Sequence, residues 1–285
     1  KVKGVVIIPR GFGKKIERTE GLTFQILVDG TDNNSAQVIL GYLISLTQSF
    51  YEKLVGQEIN RVGIGSITQP LPVEAKMQFL YNPELKSSNF VVPGLIAMIM
   101  MIIGTLLTAL TIAGEWEKGT MEQLLYSPVK PLELVLGKIA PYFLISIVQM
   151  TLVLLTAIVV FNIPFRGSLV LFYFASALFL SGLLGLGLFI STISKTQQIS
   201  AMIAFLTTFL PSFLLSNFVF PISSMPFLIR IITYLVPAKY FLEIIRGVFL
   251  KGAGFAELGM NFLAMTIFTL FFVTISVVQF KKRLV

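Results

Sequence analysis

Polar and apolar positions divide this chain into two unequal parts. Residues 1–90 interleave apolar side chains with 10 Lys/Arg and 8 Asp/Glu, the pattern of a water-facing domain. Beyond Phe90 the pattern changes. Five stretches, 91–113, 139–161, 168–193, 198–220 and 258–280, contain no Asp, Glu, Lys or Arg at all. About 20 apolar residues cross a hydrocarbon core of roughly 30 Å. At helical rise each stretch is about 34–39 Å long, which predicts five transmembrane helices with some tilt.

The first 90 residues predict an α+β domain. Residues 2–8 and 22–28 are β-rich, and the second run ends in the turn signal Asp29-Gly30. The polar run Thr31-Asp32-Asn33-Asn34-Ser35 offers several helix N-caps. Behind it Ile39, Leu43, Leu46, Phe50 and Leu54 recur at spacings of three and four, which predicts one apolar stripe on a helix over 36–55. A last strand over 76–81 leads to Asn82-Pro83. The carboxylates of this domain are scattered along the chain and suggest no catalytic grouping.

Composition sharpens the membrane reading. Of 285 residues 55% are hydrophobic and 13% charged, with 26 Phe and a mean hydropathy of +0.86; a soluble protein carries roughly 25% charged residues. The absence of Cys removes disulfide and thiolate chemistry, and the absence of His removes the commonest metal ligand and neutral-pH base. A net charge of +8 on a hydrophobic chain fits basic flanks at a lipid bilayer rather than a nucleic-acid partner.

Orientation follows from loop charges. Lys118, Lys130, Lys138, Lys195, Lys281, Lys282 and Arg283 share one side, against Arg166, Arg230, Lys239, Arg246 and Lys251 on the other. The basic tail beside the last span places the C-terminus inside and residues 1–90 outside under the positive-inside rule. An exported head in turn leads us to expect a sixth helix upstream of Lys1.

Ion-coupled carriers generally place ionisable residues within their helices. These five spans have none, so the free energy for uphill transport is expected from a separate motor. The phosphate-cradling pattern G-x-x-x-x-G-K-[ST] is absent; Gly137-Lys138 has Leu132 where the first glycine belongs. Gln149, Asn217 and Asn261 suit helix–helix hydrogen bonding. In the third span Ala177, Ser181 and Gly185 repeat every four residues, a spacing that lets helices approach closely, either within the chain or at a subunit interface.

Two connecting segments depart from plain loops. The inner segment 114–128 holds Glu115, Glu117, Lys118, Gly119, Thr120, Met121 and Glu122. Capping-box spacing of Thr120 and Gln123 predicts a short helix from Met121 that ends before Pro128. With Glu133 it carries four carboxylates on a face that should favour cations, as a segment docking into another protein would. The outer segment 221–256 is apolar and divided by Pro221, Pro226 and Pro237, which fits either two re-entrant half-helices or an interfacial helix. In it Lys239, Glu243 and Arg246 form one polar stripe within pairing range, a candidate outer gate.

These segments resemble the membrane permease subunits of type 2 ABC exporters, in the bacterial branch with a large external domain between helices one and two. Residues 5–9 (VVIIP), 27–32 (LVDGTD) and Gly41-Tyr42 are similar to that external domain. Tyr81-Asn82-Pro83 with 89–94 (NFVVPG) resembles the approach to the second helix. Most specific is 117–124 (EKGTMEQL) with Pro128 and Gly137-Lys138, and 240–247 (YFLEIIRG) with Lys251-Gly252 resembles the segment before the last helix. The resemblance implies six helices per subunit, a second permease subunit as homo- or heterodimer, and cytoplasmic ATPase subunits that bind ATP and Mg. This chain would bind no cofactor or metal itself, and its inner segment would contact the ATPase. Location in the bacterial inner membrane is implied likewise. Family members usually carry basic residues near Gly114 and Trp116, so charge pairing there should differ. An ion-coupled carrier or channel, and a membrane-anchored binding or assembly protein, are the alternatives from other classes.

Overall fold

The computed structural model describes residues 4–17, 22–31, 33–62, 73–125 and 130–283. The chain forms two compact units, Lys1–Phe90 and Val91–Val285.

In the first unit, strand β1 (Gly4–Ile7) pairs antiparallel with β2 (Leu22–Asp29), placing Val6 opposite Ile26. Helix α1 (Phe12–Glu17) joins them, its Phe12 ring edge-on to Phe24. β2 pairs parallel with β3 (Val73–Leu80), Ile26 opposite Met77. A parallel pair requires a crossover, and the 30-residue helix α2 (Asn33–Val62) lies within it. Strand alternation sends Ile26 and Val28 to one face, each 1% exposed, where Ala36, Ile39 and Leu43 of α2 cover them.

The five-residue stripe expected on α2 is therefore only partly used. Ile39 and Leu43 join the core, whereas Leu46 is 65% exposed; the side chain of Leu54 is outside the described residues. A helix of this length runs about 45 Å, and eight-residue strands about 27 Å, so α2 outruns the sheet it covers. Asp32, an expected cap, also lies outside the described residues, but Asp29 Oδ1 accepts from the Thr31 amide at 3.1 Å. The turn needs Gly30, because a Cβ there would stand 3.0 Å from the Leu80 carbonyl oxygen that accepts its amide.

The second unit is an α-helical bundle. Among the described residues five helical stretches are long and apolar enough to cross a membrane. They are α3 (Ser87–Lys118), α5 (Pro131–Val159), α6 (Leu169–Ile193), the fourth span made of α7 (Gln197–Ala204), a π segment (Phe205–Phe209) and α8 (Leu210–Leu215), and α11 (Phe255–Arg283). Shorter helices are α4 (Met121–Leu125), α9 (Phe227–Ile232) and α10 (Pro237–Arg246), the last continued by a π segment, Gly247–Lys251.

Helix bounds differ from the charge-free stretches in an orderly way. α3 and α11 extend past both ends of theirs, because freedom from charge marks hydrocarbon thickness and helical geometry continues into polar turns. α5 begins at Pro131, eight residues before the expected 139. The fourth span stops at Leu215 rather than 220, where Asn217 adopts φ +68° and turns the chain out.

α3 and α6 form the centre of the bundle. Phe172 and Phe179 of α6 are at most 2% exposed and meet Phe249 and Phe241; the Phe179 and Phe241 rings stack 4.0 Å apart. Outward residues on the other spans, such as Leu144, Val148 and Leu152 of α5, stay exposed and apolar, as a lipid-facing surface requires.

Candidate functional site

The inner segment begins as the last turn of α3. Gly119 ends that helix at φ +72°, the left-handed position that favours glycine, and its amide donates to the Trp116 carbonyl at 3.2 Å. α4 then starts with Met121, which is 2% exposed and packs with Ile112, Leu134, Val135 and Leu188. This apolar anchor fixes α4 against the bundle and leaves Glu122 and Gln123 exposed beside it.

The Thr120 hydroxyl does not serve the capping box that its spacing with Gln123 suggests. It donates backward to the Glu115 carboxylate, whose Oε1 also accepts from Lys138 Nζ of α5 at 2.8 Å. An ionised carboxylate gives the hydroxyl a charge-assisted acceptor. One carboxylate thus ties the end of α3 to the start of α4 and to α5. Glu133 caps α5 instead, accepting from the Lys130 amide at 3.1 Å, and Glu117 Oε2 accepts from the Gln197 amide at 3.0 Å. Of the four carboxylates on this face, three bond within the chain, and Glu122 with Lys118 and Gly119 stays exposed. Pro128 is outside the described residues.

At the opposite end of the bundle, the polar stripe of α10 reaches three different elements. Lys239, 8% exposed, donates to Thr233 Oγ1 at 3.3 Å and sits 3.6 Å from the centroid of the Tyr234 ring. Burial pushes its ammonium below the ordinary lysine range, opposed by the Glu243 charge. Glu243 Oε2 accepts from Asn261 of α11 at 3.1 Å. Arg246 Nη1 donates to the carbonyl of Asn217 at 3.0 Å, and Asn217 Oδ1 accepts from the Ile222 amide at 3.3 Å. The arginine thus holds the residue that terminates the fourth span. α10 buries Phe241, Leu242, Ile244 and Ile245 in the bundle, while α9 exposes Phe227 and Leu228.

The small residues of α6 serve contacts within the chain. The Ser181 hydroxyl returns to the Ala177 carbonyl of its own helix. Gly185 lies against α11, where a Cβ would stand 3.1 Å from the Val273 amide and where Ser276 donates to the Gly185 carbonyl at 2.8 Å.

The model of the ABC-2 family transporter proteins matches residues 1–278. The chain belongs to that family. It is 36% identical over its whole length, and over 74% of the relative's, to the probable multidrug ABC transporter permease YbhS of Escherichia coli K12. It is 34% identical to the probable multidrug permease YbhR of the same organism, over 87% of this chain and 65% of that one. The inner membrane transport permease YhhJ of E. coli K12 is 27% identical over 97% of this chain and 72% of its own length. This ABC-2 chain is accordingly a multi-pass transmembrane permease subunit of an ABC transporter.

Several contacts that organise this end of the permease were not legible in its sequence. Lys138 stood there as a loop charge and in a glycine–lysine pair, and its partner Glu115 lies 23 residues away. Ser191 and Ser200 meet α3 through its backbone, and Gln197 meets Glu117 of α3 through its own amide, so no pairing of side chains announces these contacts.

Proposed function

We propose that the chain is one of two permease subunits of an ATP-driven exporter in a bacterial inner membrane, with Lys1–Phe90 outside and the C-terminus inside. Cytoplasmic ATPase subunits, which hold ATP and Mg, dock on α4. The observation that carries this reading is the build of the inner segment: buried Met121 fixes α4, and Glu122 stands exposed directly beside it. A helix pinned on one side and charged on the other transmits force to the bundle instead of swinging freely. Glu122 and Lys118 supply the docking surface, and Glu115, Thr120 and Gly119 keep it in place. Closure of the ATPase dimer on ATP pushes α4, the spans open outward, and hydrolysis resets them.

At the outer end, Arg246 on the Asn217 carbonyl and Glu243 on Asn261 act as the gate, with Lys239 bracing α10 against Tyr234. The names of YbhS and YbhR point to drug-like compounds as the exported class.

Glu122→Lys tests the coupling. The variant should remain folded in the membrane while losing both co-purification with the ATPase and ethidium export from cells. Unimpaired co-purification and export would remove α4 from the coupling path.

A further inference from the structure

The inner part of α3 is stitched to α6 and α7 through its backbone. The amides of Ile112 and Ala113 both donate to Ser191 Oγ of α6 at 2.9 Å. In a regular α-helix these amides bond the carbonyls of residues 108 and 109. Here the Thr108 carbonyl accepts from the Thr111 hydroxyl at 2.6 Å, and the Ala109 carbonyl accepts from Ser200 of α7. One turn of α3 therefore shares its hydrogen-bond ladder with side chains, and such insertions are where helices bend.

One turn further on, the Glu117 carboxylate accepts the Gln197 amide at 3.0 Å. Gln197 is the first residue of α7, and Thr196 Oγ1 accepts the Ile199 amide. The first amides of a helix have no partner inside it and lie at the positive end of its dipole, so a carboxylate there makes a charge-assisted bond. The span that begins at this bond passes into a π segment after two turns, a feature frequent at functional sites.

We propose that Glu117 is a positioning residue for transport: it fastens the inner end of α3 to the start of the fourth span and so delivers the displacement of the coupling segment to that span. This rests on the coupling reading above and gives Glu117 a role toward its own chain rather than toward the ATPase.

The absence of cysteine permits site-directed spin labels. Met202→Cys on α7 and Leu144→Cys on α5, both exposed, carry the labels in the complex with its ATPase. Pulsed distance measurement then compares the nucleotide-free state with the state trapped by ATP and vanadate. Trapping should shift the distance in the parent and in E117Q, whose amide oxygen still accepts the Gln197 amide, and the shift should vanish in E117A. Gln197→Pro removes the donating amide at a helix position that suits proline and should lose the shift as E117A does, with Glu117 intact. ATPase co-purification should be equal in all four. A full shift in E117A and Gln197→Pro would overturn the proposal, as would loss of ATPase binding in E117A and E117Q alike. No shift in the parent would instead defeat the coupling reading, and this role for Glu117 with it.

Discussion

At Gly187 of α6, a Cβ would fall inside van der Waals contact of the Thr105 carbonyl oxygen and the Thr108 hydroxyl of α3. Neither can retreat, because one is backbone and the other is a buried group bonded to the Gly104 carbonyl. Gly187→Ala should therefore destabilise the protein by about 1–3 kcal/mol, seen as a lower midpoint of thermal aggregation in detergent. Gly137 of α5 has nothing within 4 Å of the same atom. There alanine should be neutral or stabilising by up to about 1 kcal/mol, since glycine is a poor helix former. Equal behaviour of the two variants would contradict the α3–α6 contact. In the sequence these glycines look alike. Even the repeat of Ala177, Ser181 and Gly185 indicates only that some helix comes close. Gly185 meets α11 and Gly187, two residues on, meets α3, a division that depends on which helices flank α6.

Among the elements, the inner segment shows what spacing can and cannot reveal. The short helix from Met121 was legible because the spacing of Thr120 and Gln123 is a local signal. The partner of Thr120 was not, since it is a carboxylate five residues back that another helix holds in place. The Glu115–Lys138 pair is about one-quarter exposed on each side, so its net worth is discounted for solvent. A double-mutant cycle with Glu115→Ala and Lys138→Ala should return a coupling energy of about 0.5–1 kcal/mol in thermal stability. Strict additivity would mean that the pair contributes nothing to fixing α4. The outer segment follows the same logic: the spacing of three charges along α10 shows pairing range, and only tertiary contacts show the partner each also has on a different element, Thr233, Asn261 or Asn217.

For the molecule as a whole, orientation is the property with the widest consequences. In intact cells a membrane-impermeant maleimide should label Glu84→Cys, on an exposed side chain of the first unit, and should spare Gln123→Cys until the membrane is opened. The reverse pattern would invert the assignment of inner and outer faces and with it the site of ATPase docking. The reagent has no native thiol to attack.

The sequence by itself determined the solvent of each part of the chain. Lipid tolerates so little charge that five long uncharged stretches have no other stable home, and strand alternation with turn residues marks the water-facing domain nearly as plainly. Local chemistry likewise set the start of α4 and the turn at Gly30. Only the tertiary structure decided which helices lie at the centre, which glycines meet which neighbour, and where Glu115, Glu117 and Arg246 find their partners. In hydrocarbon outward and inward residues are both mostly apolar, so the pattern that distinguishes buried from exposed faces in water is largely erased. The contacts that set the arrangement run largely through backbone groups, and every residue carries those.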